Sequence, residues 1–161
     1  MTRSLSTVVF CAAIGSIGAL SLIACSSGSS STTPSGTDGT RPATAPAGAV
    51  VLSAQDFKFV PSTITGKVGT PITLFVTNDS TGEDHDLKSE LPIEKLSYAH
   101  ADNADNEKAD NQKNNTLDVD FKMGSWAQVT FTPTKEGTFE FHCDEPGHKD
   151  KGMKGSFVIS K

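Results

Sequence analysis

Residues 127–143 read AQVTFTPTKEGTFEFHC. Ala127, Val129 and Phe131 alternate with polar neighbours, and the alternation resumes at Phe139, Phe141 and Cys143 after a turn region at 133–137. A period of two puts each apolar set on one face of a β-strand, and Pro and Gly between the runs mark a reversal of the chain. The same pattern recurs at Ile72, Leu74 and Val76. Working outward from these, β-type runs bounded by turn residues predict strands over 50–53, 64–67, 72–78, 86–88, 116–121, 127–132, 138–143 and 155–160. Many short strands with turn signals between them predict an all-β, Greek-key β-sandwich over residues 48–161.

The two flanks of that domain read differently. Residues 1–24 carry Arg3 and then an apolar stretch broken by Gly15 and Gly18, which suits an export signal better than a permanent span. The stretch closes on Leu22-Ile23-Ala24-Cys25, which resembles a bacterial lipoprotein signal with cleavage before Cys25 and acylation of its sulfur; an ordinary signal with a chance cysteine is the plainer alternative. Residues 26–47 are almost wholly Ser, Thr, Gly, Pro and Ala. Such a segment cannot bury a core, so 25–47 is expected to be a disordered linker with a mean reach of roughly 25 Å. The expected location is therefore outside the cytoplasm, on the periplasmic or extracellular face of a membrane, held through a lipid at Cys25.

Residues 99–115, AHADNADNEKADNQKNN, contain almost nothing apolar. They are expected to form a solvated loop with at most a helical turn, and His100 within them to be a surface histidine. Their carboxylates lack the Gly-centred spacing of a calcium loop. A net charge of −5 excludes the basic face that nucleic acid requires.

Chemistry concentrates in Phe141-His142-Cys143-Asp144-Glu145-Pro146-Gly147-His148-Lys149-Asp150-Lys151-Gly152-Met153. Alternation points Cys143 inward and His142 the other way, so His142 is not expected to be a ligand. Pro146-Gly147 can turn the chain so that His148 faces back towards Cys143, and Gly152 lets Met153 approach. His85, which follows the 72–78 strand and its turn, is the candidate for a fourth group. Removal of Cys11 with the signal and lipidation of Cys25 leave Cys143 with no disulfide partner. Two imidazoles and a thiolate with a weak thioether form the blue-copper ligand set; thiolate and thioether stabilise Cu(I) while imidazoles keep Cu(II) acceptable. Zinc also takes Cys and His but would not recruit a Met. Taken singly, each of these residues is more ordinarily a core or surface side chain; their joint spacing favours a metal.

With these residues in view, the chain from Val50 to Lys161 resembles the cupredoxin family, the plastocyanin, azurin and auracyanin group. The resemblance rests on His85-Asp86 and on the 141–153 run, and the ending at 153–159 matches as well. It implies His85, Cys143 and His148 as equatorial ligands of one mononuclear type 1 copper, with Met153 axial. It also implies that the His148 edge lies near the surface as the electron port. Lys149, Lys151 and Lys154 beside that port either face an acidic patch on a partner or only keep the loop soluble. Many relatives carry Asn after the upstream His, where its side chain fixes the Cys loop; here Asp86 stands there, and Asp144 follows Cys143. Two carboxylates near the thiolate should favour Cu(II).

The expected function is thus a monomeric, membrane-anchored electron carrier with transient redox partners, and not an enzyme. A copper-delivery or storage protein is the alternative, although only three Met are present, one of them the initiator. Copper enzymology would need a vacant coordination position or a second cluster.

Overall fold

The computed structural model describes residues 40–161. The expected export signal at 1–24, the lipidation site Cys25 and the linker up to residue 39 lie outside the described residues. From the linker's end, Arg41 reaches the domain and donates to Asp79 at 2.8 Å. Asp79 also accepts from the Ser53 and Thr77 hydroxyls, and these three donors hold its carboxyl below the usual range against the opposing effect of burial.

Ten strands and one helix follow among the described residues. They are β1 (Val50–Gln55), β2 (Lys58–Val60), β3 (Thr63–Lys67), β4 (Ile72–Asn78), β5 (His85–Ser89), β6 (Ile93–His100), α1 (Asp105–Asn114), β7 (Leu117–Phe121), β8 (Trp126–Pro133), β9 (Gly137–His142) and β10 (Lys154–Ser160). One sheet runs β2-β1-β4-β8-β6 and the other β3-β10-β9-β5-β7. Parallel pairing of β1 with β4 and of β10 with β3, among otherwise antiparallel neighbours, makes the chain cross between sheets as a Greek key must. Between the sheets lie Leu52, Leu74, Val76, Leu87, Val119, Phe121, Val129, Phe131, Phe141 and Phe157, all fully buried. They include Leu74, Val76, Val129, Phe131 and Phe141 of the alternating sets that the sequence pattern singles out, and Phe139 packs against them partly buried. Each such side chain stabilises the fold by about 1.5–3 kcal/mol through removal from water.

Two strands carry no clear sequence signal. β2 is only three residues long, its sole buried side chain being Phe59. β6 hides its pattern in a bulge: its buried residues Ile93 and Leu96 are three apart, the register against β8 shifts between Glu94 and Ser97, and Lys95 has φ 56°. The stretch 99–115 is more ordered than a solvated loop. It ends β6, then forms α1, none of whose residues is buried. Asp105 and Glu107 in its first turn and Lys113 in its last suit the helix dipole, and Asn115 closes it in the left-handed region. Polar side chains dock the helix: Asn111 donates to Tyr98 Oη (3.3 Å) and the Asp118 carbonyl (3.2 Å), and Gln112 to the Leu96 carbonyl (3.4 Å). His100 is not a plain surface residue. It is half-buried and its ring stacks on Trp126 with centroids 4.1 Å apart.

Candidate metal centre

Three donors meet at one end of the sandwich. His85 opens β5, where it pairs in register with Phe121 of β7. Cys143 follows β9, inward because Phe139 and Phe141 are inward. His148 lies on the loop that returns to β10. The Nδ1 atoms of His85 and His148 are 3.2 Å apart, and Cys143 Sγ is 3.8 Å from the first and 3.4 Å from the second. The point equidistant from all three lies about 2 Å from each, which is the length of a metal–imidazole bond. All three residues are buried, as is Met153 at the loop's far end. A buried cluster of two imidazoles and a sulfur whose donor atoms converge on one point is a donor set shaped for one metal ion.

The loop is shaped by its own backbone. The Cys143 amide donates to the Met153 carbonyl at 3.1 Å, closing the loop's neck, and the Met153 amide donates to the His148 carbonyl at 3.0 Å. A turn from Glu145 to His148 (3.0 Å) passes through Gly147 at φ 80°, and Gly152 takes φ 105° just before Met153. Both glycines occupy backbone conformations that a side chain would strain. Across the neck, Asp86 Oδ1 accepts the Asp144 amide, so the residue after His85 ties the two ligand-bearing segments together.

Electrostatics among the site's own groups favour their neutral forms. Burial, then the neighbouring His148, hold His85 below the usual imidazole range. Burial pushes the Cys143 thiol up to about 12, against the pull of the Asp86 and Glu145 backbone N–H groups. Those two N–H groups favour thiolate once a cation balances its charge. Below the site, Asp86, Asp118 and Asp120 bring carboxylate oxygens within 4.8 Å of one another. Lys88 Nζ reaches Asp118 and Asp144, each at 3.2 Å, and so neutralises part of this cluster.

His142 turns away from the donors, with its nitrogens 3.5 Å from Glu140 and Asp144. His148 is 6 % exposed, although Glu145, Pro146, Gly147, Lys149, Asp150 and Lys151 around it are all exposed. Its Nε2 lies 3.8 Å from the Glu83 carboxylate. Of the lysines around it, Lys149 pairs with Glu140 at 2.8 Å, and Lys151 sits over the Phe57 ring. Phe57 also meets the His148 ring edge-on at 5.1 Å. Sequence reasoning missed Phe57, because nothing in its neighbourhood of the chain marks a turn residue as a neighbour of a residue 91 positions away.

A two-sheet Greek-key sandwich with a buried His–Cys–His cluster at one end, closed by a Met-terminated loop, defines a cupredoxin, and its donors fit one type 1 copper. The sequence profile of the copper binding proteins of the plastocyanin/azurin family matches residues 47–160, so the chain belongs to that family. Among solved structures, auracyanin from the photosynthetic bacterium Roseiflexus castenholzii aligns with TM-score 0.50 at 18 % identity, covering 73 % of this chain and all of its own. Auracyanin B aligns with TM-score 0.50 at 22 % identity, covering 78 % of this chain and 96 % of its own. At these identities the likeness establishes the shared fold. No curated protein matches the chain in sequence.

Proposed function

We propose that the protein is a type 1 copper electron carrier in which His85, Cys143 and His148, with Met153 beside them, would hold the ion. The observation that carries this reading is the mutual approach of the two Nδ1 atoms and Sγ at 3.2–3.8 Å. A copper ion held there supplies a Cu(II)/Cu(I) couple that stores one electron. The chain's own part is to hold the donors still. The neck bond from Cys143 to Met153 and the Asp86–Asp144 tie fix the sulfur, and a site that moves little between oxidation states has a low barrier to electron transfer. The Cys143 thiol surrenders its proton on metal binding, so apparent affinity rises with pH.

Export, a lipid at Cys25 and a tether ending near Arg41 would place this domain within about 25 Å of a membrane surface. There it would act as a monomer, and a redox protein would dock transiently at the His148 end. The mixture of Lys149, Lys151 and Lys154 with Glu83, Glu145 and Asp150 suits weak, charge-guided encounter. The test is the visible spectrum of the purified chain reconstituted with Cu(II). An intense thiolate-to-copper band towards the red, bleached by reductant and restored by oxidant, is the expected result. A colourless protein that holds Cu(I) tightly and passes it to an acceptor would replace electron carriage with copper delivery or storage.

A further inference from the structure

The β1–β2 hairpin turns through Asp56 and Phe57, with Gln55 and Lys58 in register on either side. Such two-residue turns favour Gly or Asn where φ is positive. Phe57 has φ 57°, a conformation that costs a side-chain-bearing residue about 1 kcal/mol or more. A bulky aromatic in a strained turn calls for a compensating role, and its surroundings supply one. The ring edge meets His148 at 5.1 Å and 82°, and Lys151 Nζ lies 3.8 Å from its centroid. Its neighbour Asp56 accepts the Thr81 amide at 3.0 Å and the Thr81 hydroxyl at 3.1 Å. The hairpin tip therefore grips both segments that carry histidines: the one leading to His85 and the one holding His148. His148 is buried between exposed loop neighbours, with the Phe57 ring against its own.

We propose that Phe57 is a lid over the site, shielding His148 and the sulfur behind it from water and limiting the rate at which solutes and metal reach them. This rests on the copper reading for its purpose, while the shielding is a property of the metal-free protein as well. Cys143 Sγ lies 3.4 Å from His148 Nδ1, so a reagent that passes the His148 edge reaches the thiol. Lys151, seated on the ring by a cation–π contact, keeps the lid's outer surface polar.

The test compares the full-length chain with Phe57→Gly and Phe57→Tyr. Glycine suits the left-handed turn, so Phe57→Gly removes the ring without breaking the hairpin, and the metal-free variant should melt no lower than the parent. In the metal-free protein, iodoacetamide labelling of the Cys143 peptide, read by mass spectrometry, is expected to quicken on the order of tenfold in Phe57→Gly and to return to the parent rate in Phe57→Tyr. In the Cu(II)-loaded protein, loss of colour to a competing chelator should quicken similarly, with the band itself unmoved. Parent-like labelling and release in Phe57→Gly would overturn the lid. So would a lowered melting temperature with faster labelling that Phe57→Tyr fails to restore, since that pattern marks a merely structural residue. A parent that never turns blue sinks the copper reading alone, and the labelling result then still decides whether Phe57 shields the site.

Discussion

The 143–153 loop and the 101–116 insert both leave the sandwich between strands, but they are held in opposite ways. The first is fixed by main-chain hydrogen bonds, from Cys143 to Met153, His148 to Glu145, Met153 to His148 and Gly152 to Lys149, with three buried donors pointing inward. The second carries a helix with no buried residue, attached by the side chains of Asn111 and Gln112, with Asn103 beside it donating to Glu107. Backbone bonds and buried side chains over-determine geometry, whereas part-buried side-chain contacts each contribute about 1 kcal/mol and can open singly. The site loop is thus built for constant geometry and the insert for attachment.

Cys143→Ser breaks the first region most completely. It should abolish the red-region band of the Cu(II) protein while the far-ultraviolet circular dichroism stays that of the parent; a surviving band would remove Cys143 from the ligand set. Gly155→Ala strikes the strand that receives the loop. A Cβ there would collide with the Phe141 ring and the Ser62 carbonyl, so urea unfolding should show a loss of about 3 kcal/mol or more. Asn111→Ala tests the insert. It should cost about 1–2 kcal/mol through lost bonds to Tyr98 Oη and the Asp118 carbonyl, and the copper band should be unaltered. A shifted band would mean that the two regions are coupled.

Asp120 lies between them, on β7. Burial, then Glu107 and Asp118, push its carboxyl up to about 6. The folded chain thus retains a proton that the unfolded chain has lost between about pH 4 and pH 6. That contribution is fully present below about pH 4 and disappears as pH rises through 6. Asp120→Asn should therefore stabilise the metal-free protein at pH 8 by on the order of 1 kcal/mol after solvent screening, with no gain at pH 4. Equal effects at both pH values would refute the titration. The smallest change is Asp86→Asn, which keeps an oxygen to accept the Asp144 amide and deletes one negative charge beside the thiolate. With Asp144 already paired to Lys88, voltammetry should record a raised reduction potential; an unchanged or lowered value would count against an electrostatic role for Asp86.

Legibility differed along the chain for physical reasons. The strands around 72–78, 127–132 and 138–143 were readable because the core-facing side of a strand repeats its apolar residues at a period of two. β6 was not, since a bulge at Lys95 changes the spacing of Ile93 and Leu96 from two to three. α1 was not, since a helix that buries nothing leaves no apolar periodicity and stands on side-chain bonds to β6 and β7. His100 read as a surface histidine because its partner Trp126 is 26 positions away.

By itself the sequence determined the all-β sandwich, the inward direction of Cys143, and the Cys143, His148 and Met153 donor types along one loop. These follow from local periodicity and from the chemistry of neighbouring residues. Only the tertiary structure decided that His85 comes within 3.2 Å of His148, that Asp86 bridges to Asp144, and that Phe57 closes over the imidazole. Those contacts join segments 58–91 residues apart in the chain, brought together by the crossing of two sheets, and no local pattern of residues encodes a distance of that kind.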